Sequence, residues 1–396
     1  MKTFLFAFTG VMVFCLSCSF ALAQESSGGM QRPVTQQEID RLKQQIDDDT
    51  RTSAEGIFAY HTESGDLNNR LDFVRYGGRL NYKPGSSTAF QLTGTRTNYF
   101  PISDVFNAQG TNLTLGVQTK LAESIEAHLE GGATRFSTDT WSINGLATFR
   151  YNASDQTHIY ATASRTNVAD SLLSTAGIRP VVGPFAGQLV GQVMENRFVA
   201  GGSTRLTGSF DVFGEGGAGN RAGSNVPSNF FKTIGGGVGY SIIARSDDQP
   251  LTLLRAAYEL NYFGFDDNRF GFGGASLLTR RGFPIPPTLI GIDDISPAPA
   301  VSGAGVGGYF SPQNYVSNIA RLEAKGGSTN GLNYRISGFI GTQSYTGSTT
   351  GLAAYGLSAT TNVPITERIS MPVTYFIDNF GPYTQQSLFA TVAVKF

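Results

Sequence analysis

The chain has 396 residues, of which 15% are charged and 12% aromatic, with 49 glycines and a formal net charge of −1. The charged fraction is below the roughly one quarter usual in soluble domains, and a near-neutral chain has no electrostatic claim on nucleic acid. Beyond the amino terminus no run approaches the roughly 18 apolar residues of a spanning helix, which excludes a helical membrane protein.

Residues 1–23 have the layout of a cleaved secretory signal: Lys2, an apolar stretch from Phe4 through Leu22, and the small-x-small ending Ala21-Leu22-Ala23. The mature chain is expected to begin at Gln24. Leu16 stands one position too close to Cys18 for a lipoprotein signal, so lipidation is not expected. Cys15 and Cys18 both fall inside the signal, and the exported chain is expected to lack disulfides, thiolate metal sites and cysteine nucleophiles. Without a hydrophobic helix, such a chain spans a membrane only as a closed barrel, because lipid offers no partner to backbone N–H and C=O groups.

Residues 24–52 read as a periplasmic linker with a short helix. Residues 24–33 are polar and rich in Gly and Ser. Thr35-Gln36-Gln37-Glu38 is a capping box, and Ile39, Leu42 and Ile46 then recur at helical spacing. That stripe is too narrow to stand alone. A helix packed at the barrel mouth, a docking handle for a periplasmic partner and a plug in the pore all fit it.

Over residues 53–396 the period becomes two, which predicts an all-β fold, a transmembrane antiparallel barrel of about sixteen strands. Leu113, Leu115 and Val117 share one face. Ile125, Ala127, Leu129 and Ala133 lie opposite Glu126, His128 and Glu130, and Trp141, Ile143, Ala147, Phe149 and Tyr151 continue the apolar face. Leu254, Ala256, Tyr258, Leu260 and Tyr262 are set against Arg255, Glu259 and Asn261; Tyr334, Ile336, Gly338 and Ile340 against Asn333, Arg335 and Ser337. Turn chemistry at 83–85, 152–155 and 328–331 separates the segments. Long connections are expected at 168–193, 216–228 and 266–304, one of which is free to fold inward and constrict the lumen.

The last segment, Gln386-Ser387-Leu388-Phe389-Ala390-Thr391-Val392-Ala393-Val394-Lys395-Phe396, has the form of a closing strand that ends on an aromatic assembly signal, Phe396. Its even-numbered residues suit lipid and its odd-numbered ones a wet interior, with Phe389 as an aromatic on the lumen side. Glu126, His128, Glu130, Arg150, Arg255, Glu259, Arg321, Glu323 and Arg335 are the candidate lumen-lining residues. Both signs are present, so strong ion selectivity is not expected. The period-two spacing of Glu126, His128 and Glu130 describes a strand face rather than a metal site. Neither a metal nor a cofactor is expected.

After the third long connection stands Gly305-Val306-Gly307-Gly308-Tyr309-Phe310-Ser311-Pro312-Gln313-Asn314-Tyr315. It resembles the GGY[FY]SPQ-x-Y signature of the C-terminal outer-membrane barrel in the cellulose synthase BcsC family. Upstream, Leu260-Asn261-Tyr262-Phe263-Gly264-Phe265-Asp266-Asp267-Asn268-Arg269 resembles that family's aromatic strand running into a D-x-N segment. The resemblance implies a bacterial outer-membrane pore for export of cellulose or a related β-glucan. It also implies partners: membrane lipid, the polysaccharide chain and an inner-membrane glycan synthase. Members of the family carry a long array of tetratricopeptide repeats, whereas residues 24–52 are too few for one repeat of roughly 34 residues. A separate periplasmic scaffold is therefore expected, or else a polymer other than cellulose.

Tyr309, Phe310, Gln313, Asn314 and Tyr315 are the polysaccharide-path candidates, since aromatic faces and amides offer many weak contacts to a sliding sugar chain. Gly307, Gly308 and Pro312 shape the backbone there. In the alternative reading these three make a bend at the start of a strand, with Tyr309 and Tyr315 in the interfacial aromatic girdle. A general diffusion or uptake porin is the competing function. An enzyme is not expected, because His61, His128 and His158 stand in no recognisable Ser/His/Asp context.

Overall fold

The computed structural model describes residues 52–64, 71–85, 87–100, 108–154, 156–179, 185–244, 249–267, 311–327, 332–346, 351–366, 368–380 and 383–396. The signal segment, the expected helix near residues 35–49, and Gly307, Gly308, Tyr309 and Phe310 lie outside these residues.

Sixteen antiparallel strands close on themselves. In chain order they are β1 (Ser53–Ser64), β2 (Phe73–Tyr82), β3 (Thr88–Tyr99), β4 (Ala108–Ala122), β5 (Ile125–Phe136), β6 (Thr140–Ser154), β7 (Thr157–Asn167) and β8 (Gly191–Arg205). There follow β9 (Phe210–Ser224), β10 (Val226–Ala244), β11 (Leu253–Phe265), β12 (Tyr315–Gly327), β13 (Asn333–Ser344), β14 (Leu352–Pro364), β15 (Ile369–Phe380) and β16 (Tyr383–Lys395). Among the described residues one helix, α1 (Leu172–Ala176), interrupts the connection between β7 and β8. Each strand pairs with its chain neighbours, and β16 returns to β1 with Ser53 opposite Lys395 and Ser64 opposite Thr384.

The alternation expected from the sequence sets the two faces. Leu115, Trp141, Ile143, Tyr258, Leu260 and Ile340 point outward and are exposed. The interleaved Glu130, Arg150, Glu259, Arg321 and Ser337 point inward and are buried against the wall. Phe389 also points inward and stacks on Phe376 with ring centroids 5.9 Å apart. Both chain ends of the barrel lie at the end with short connections, which is the periplasmic end in barrels of this kind. The opposite end, called outer below, carries the 168–190 and 266–314 connections.

One expected connection is strand. Residues 216–228 belong to β9 and β10, which meet in a tight hairpin at Asn225, φ 53°. The glycines that suggested a loop serve instead as floor for their neighbours. A Cβ on Gly217 would sit 2.4 Å from the Phe198 carbonyl oxygen, and one on Gly219 2.5 Å from the Phe231 ring. The Asn225 side chain donates to the Leu189 carbonyl, at 2.7 Å.

Closure joins the carboxyl terminus to the first strand, with the Phe396 amide donating to the Thr52 carbonyl at 2.9 Å. Replacing this 70% exposed ring by a carboxylate, Phe396→Asp, is expected to lower the folded barrel in the outer membrane several-fold. The heat-modifiable band in membrane fractions measures this; wild-type levels would show that closure does not use the ring.

Candidate functional site

The inward residues named from the sequence are brought together in pairs. Glu126 and Arg150 stand directly opposite on β5 and β6, 3.4 Å apart. Arg321 on β12 holds Glu259 on β11 bidentately, Nε and Nη2 of one guanidinium edge donating to its two carboxylate oxygens at 2.6 and 3.0 Å. Arg335 on β13 reaches Glu323 on β12 at 2.6 Å, and His128 Nε2 lies 3.7 Å from Glu130 along β5. Alternation gives the face but not the partner, and Arg255 shows why. It pairs with Asp211 at 2.5 Å, a residue on β9, across the whole width of β10. The crossing is open because β10 has Gly239 there; a Cβ at that position would sit 2.2 Å from the Arg255 guanidinium.

The same device recurs along the wall. The Tyr160 hydroxyl donates to Glu215 over Gly201, the Phe213 ring lies over Gly237, and the Phe339 ring lies over Gly356. The Arg255 and Arg321 guanidiniums sit 5.7 and 5.1 Å from the rings of Phe213 and Phe339. Inward side chains thus lie along the wall instead of standing into the lumen.

The outer end is built differently. Val168, Val193, Val226, Phe231, Phe263, Phe265 and Tyr315 form one buried cluster, and Leu71, Phe73, Tyr99, Ala108, Phe136, Leu172 and Ala176 form another. The connection carrying α1 folds inward and belongs to both. Ser171 caps α1 by accepting from the Ser174 amide at 3.1 Å, and Thr138 in the β5–β6 turn and Thr140 at the start of β6 donate to the Ala176 carbonyl. Gly191 returns the chain to β8 at φ 89°, where a Cβ would lie 2.2 Å from the Leu173 carbonyl oxygen. A buried ionic latch holds the segment: Arg221 on β9 contacts Asp170 at 3.0 Å and Glu195 on β8 at 2.7 Å, and its guanidinium lies 5.3 Å from the Phe265 ring.

Of the motif after the third connection, residues 311–315 are described. Pro312 is buried, and its carbonyl accepts from the Phe265 amide, extending the ladder between β11 and β12. Gln313 donates to the Asp266 carbonyl at 3.0 Å, and Asn314 lies within hydrogen-bond distance of the Tyr262 hydroxyl, 3.2 Å, and of Thr346. Both amides are exposed at the rim. Tyr315 is not in the outward girdle. It shares parity with inward Ser317, Ile319 and Arg321, and its hydroxyl donates to Gln343 at 3.0 Å beside Phe263. Neighbouring Tyr345 packs on the same cluster, and burial raises its pKa above the ordinary phenol value.

Sequence reasoning missed the Asp170–Arg221–Glu195 latch, whose members are far apart in the chain and carry no motif. It also missed His61 and Ser387, which stand opposite across the closing seam with Nδ1 and Oγ 2.5 Å apart. Both are buried, at 0% and 1% exposure, and His61 stacks on Phe73 at 5.0 Å. No substrate reaches such a pair; it ties the last strand to the first.

The model of a family described as "Cellulose synthase operon protein C C-terminus" matches residues 56–274. Among solved structures, a "Bacterial polysaccharide outer membrane secretin" superposes with a TM-score of 0.57 at 11% identity, covering 87% of this chain and 98% of that one. OccK5 (OpdH) of Pseudomonas aeruginosa gives 0.39 at 9% identity, covering 87% and 98%. At 11% identity the likeness to the secretin speaks to the fold alone. No curated protein matches the chain. Fold and family model together place the protein in the bacterial outer membrane as a sixteen-strand β-barrel.

The latch predicts a conductance phenotype. Asp170→Ala removes one charged contact, worth about 2 kcal/mol, and is expected to loosen the α1 connection and give larger, noisier single-channel currents in planar bilayers. Traces identical to wild type would mean that apolar packing of Leu172 and Ala176 is enough to hold it.

Proposed function

The chain belongs to the cellulose synthase operon protein C C-terminus family, and from that premise we propose that it is the outer-membrane exit for a β-glucan, cellulose or a close relative. The observation that carries the proposal is the family match over more than half of the chain. The geometry described above is compatible with it at each level. A sixteen-strand barrel is wide enough for an aqueous channel, and the inward wall is polar, with cations matched to carboxylates across neighbouring strands. A neutral polymer gains from such a wall, because paired charges offer hydrogen bonds without trapping it as a counter-ion.

In this reading the lumen-lining set is Glu126, His128, Glu130, Arg150, Arg255, Glu259, Arg321, Glu323 and Arg335. Gln313 and Asn314 at the rim exchange hydrogen bonds with sugar hydroxyls as the chain emerges. Tyr309 and Phe310 supply aromatic surface at that exit, where flat rings meet the axial C–H faces of pyranoses. Tyr315 acts there as part of the cluster that shapes the outer opening. The polymer is delivered by an inner-membrane glycan synthase through a periplasmic scaffold. The reading is of transport, not catalysis.

Changing Tyr309, Phe310 and Tyr315 together to Ala is expected to lower secreted glucan per folded barrel several-fold, with Gly307→Val and Pro312→Ala as tests of backbone shape. An unchanged ratio in the triple variant would remove the motif from the conduction path. Current block by small sugars together with normal polymer secretion in a deletion strain would point to solute uptake instead.

A further inference from the structure

The outward face carries charge of one sign and at one end. Among strand residues whose side chains are described, every carboxylate occupies an inward position, whereas Arg96 on β3, Arg135 on β5, Arg165 on β7 and Lys232 on β10 occupy outward ones. All four lie in the outer halves of their strands: Arg96 near Tyr99 at the end of β3, Arg135 next to Phe136 at the end of β5, Arg165 near Asn167 at the end of β7, and Lys232 in the first half of β10.

Register connects them. Arg96 stands opposite Thr111, Thr111 opposite Arg135, and Arg135 opposite Trp141. Arg165 stands opposite Gly145, four residues further from the rim on β6 than Trp141. Barrel strands are tilted, so a level line drops by about one residue per strand crossed. The displacement therefore keeps Arg165 near the level of Arg96.

Their protein partners are mostly neutral. Arg96 donates to the Gln109 side chain, Arg165 donates to Asn196 at 2.9 Å, and Lys232 lies 5.9 Å from the Phe230 ring. Arg135 lies 5.7 Å from the Trp141 ring and 3.5 Å from Asp139 in the β5–β6 turn, with side chains of Arg135 and Asp139 61% and 84% exposed. The rows beneath are apolar: Leu113, Ala133 and Ile143, then Leu92 and Leu115. A cation facing lipid is costly at mid-bilayer and tolerated at the interface, so this level is the outer interface, and most of the balancing negative charge must come from the membrane.

We propose that Arg96, Arg135 and Trp141, flanked by Arg165 and Lys232, form a binding site for a phosphorylated glycolipid of the outer leaflet. Guanidinium forks match phosphate oxygens, and the Trp141 ring offers a face to a sugar. Arg96 and Arg135 are two strands apart, about 10 Å, which suits two phosphates on one sugar head better than a single phosphodiester. The site is independent of what passes through the lumen.

The test titrates the detergent-purified barrel, its folding checked by heat-modifiable migration, with diphosphoryl lipid A and counts adducts by native mass spectrometry. The wild type should bind diphosphoryl lipid A about tenfold more tightly than its dephosphorylated form or phosphatidylglycerol. The double variant Arg96→Ala/Arg135→Ala should lose that preference, and Arg96→Lys/Arg135→Lys should keep part of it. Equal wild-type binding of the dephosphorylated lipid, phosphatidylglycerol binding as tightly as lipid A, or unchanged affinity in the folded double Ala variant would each overturn the proposal. If the variants do not fold, the three-lipid comparison on the wild type still decides it.

Discussion

Backbone hydrogen bonding in a medium that offers none of its own is the constraint on which everything else rests. Each strand has two edges to satisfy, and only the pairing of β16 with β1 leaves no edge open to lipid. Once that seam is set, every side chain is assigned a face by its position in the alternation. The His61–Ser387 contact and the Phe396 amide bond are consequences of this closure, and so is the sorting of charge. Carboxylates and most guanidiniums are sent to the interior, and the outside is left to Leu, Ile, Tyr and Trp.

Charge sent inward then has to find partners in a wall with little free volume. The wall answers with cross-strand pairs and with glycines that let a guanidinium or a ring lie over the neighbouring strand. At the outer end the same chemistry serves a different purpose: Arg221 spans from β8 to the inward-folded connection and fixes α1 between two aromatic clusters. Breaking one member of such a buried group is costly because the others remain desolvated. The arrangement therefore favours one position of the connection over a range of them.

Much of the fold was legible because period-two patterning is imposed directly by the lipid. Leu113, Trp141, Tyr258 and Ile340 follow it, and the closing strand displays it down to the inward Phe389. The 216–228 segment was misread because glycine marks both a turn and a crowded sheet; only the neighbours, Phe198 and Phe231, distinguish the two, and they are not adjacent in sequence. The candidate site was legible as a face and not as a set of contacts. Parity places Arg255 inside, but barrel tilt decides its height, and a glycine on β10 decides that it meets Asp211. Tyr315 had been compatible with the girdle until its register beside Ile319 and Arg321 turned it inward. The latch residues Asp170, Glu195 and Arg221 carry no local signature at all, because what unites them is the inward fold of a connection.

The side chains that lie flat over Gly201, Gly237, Gly239 and Gly356 also have a mechanical meaning. For a polymer threading the barrel, each group standing into the path would be a bump, and each deep pocket a place to stall. A wall with its rings and guanidiniums laid flat over neighbouring strands has low corrugation, so the energy changes little from one sugar to the next. In the export role proposed above, friction would then be spread thinly over the whole length, with no single place for the chain to stall.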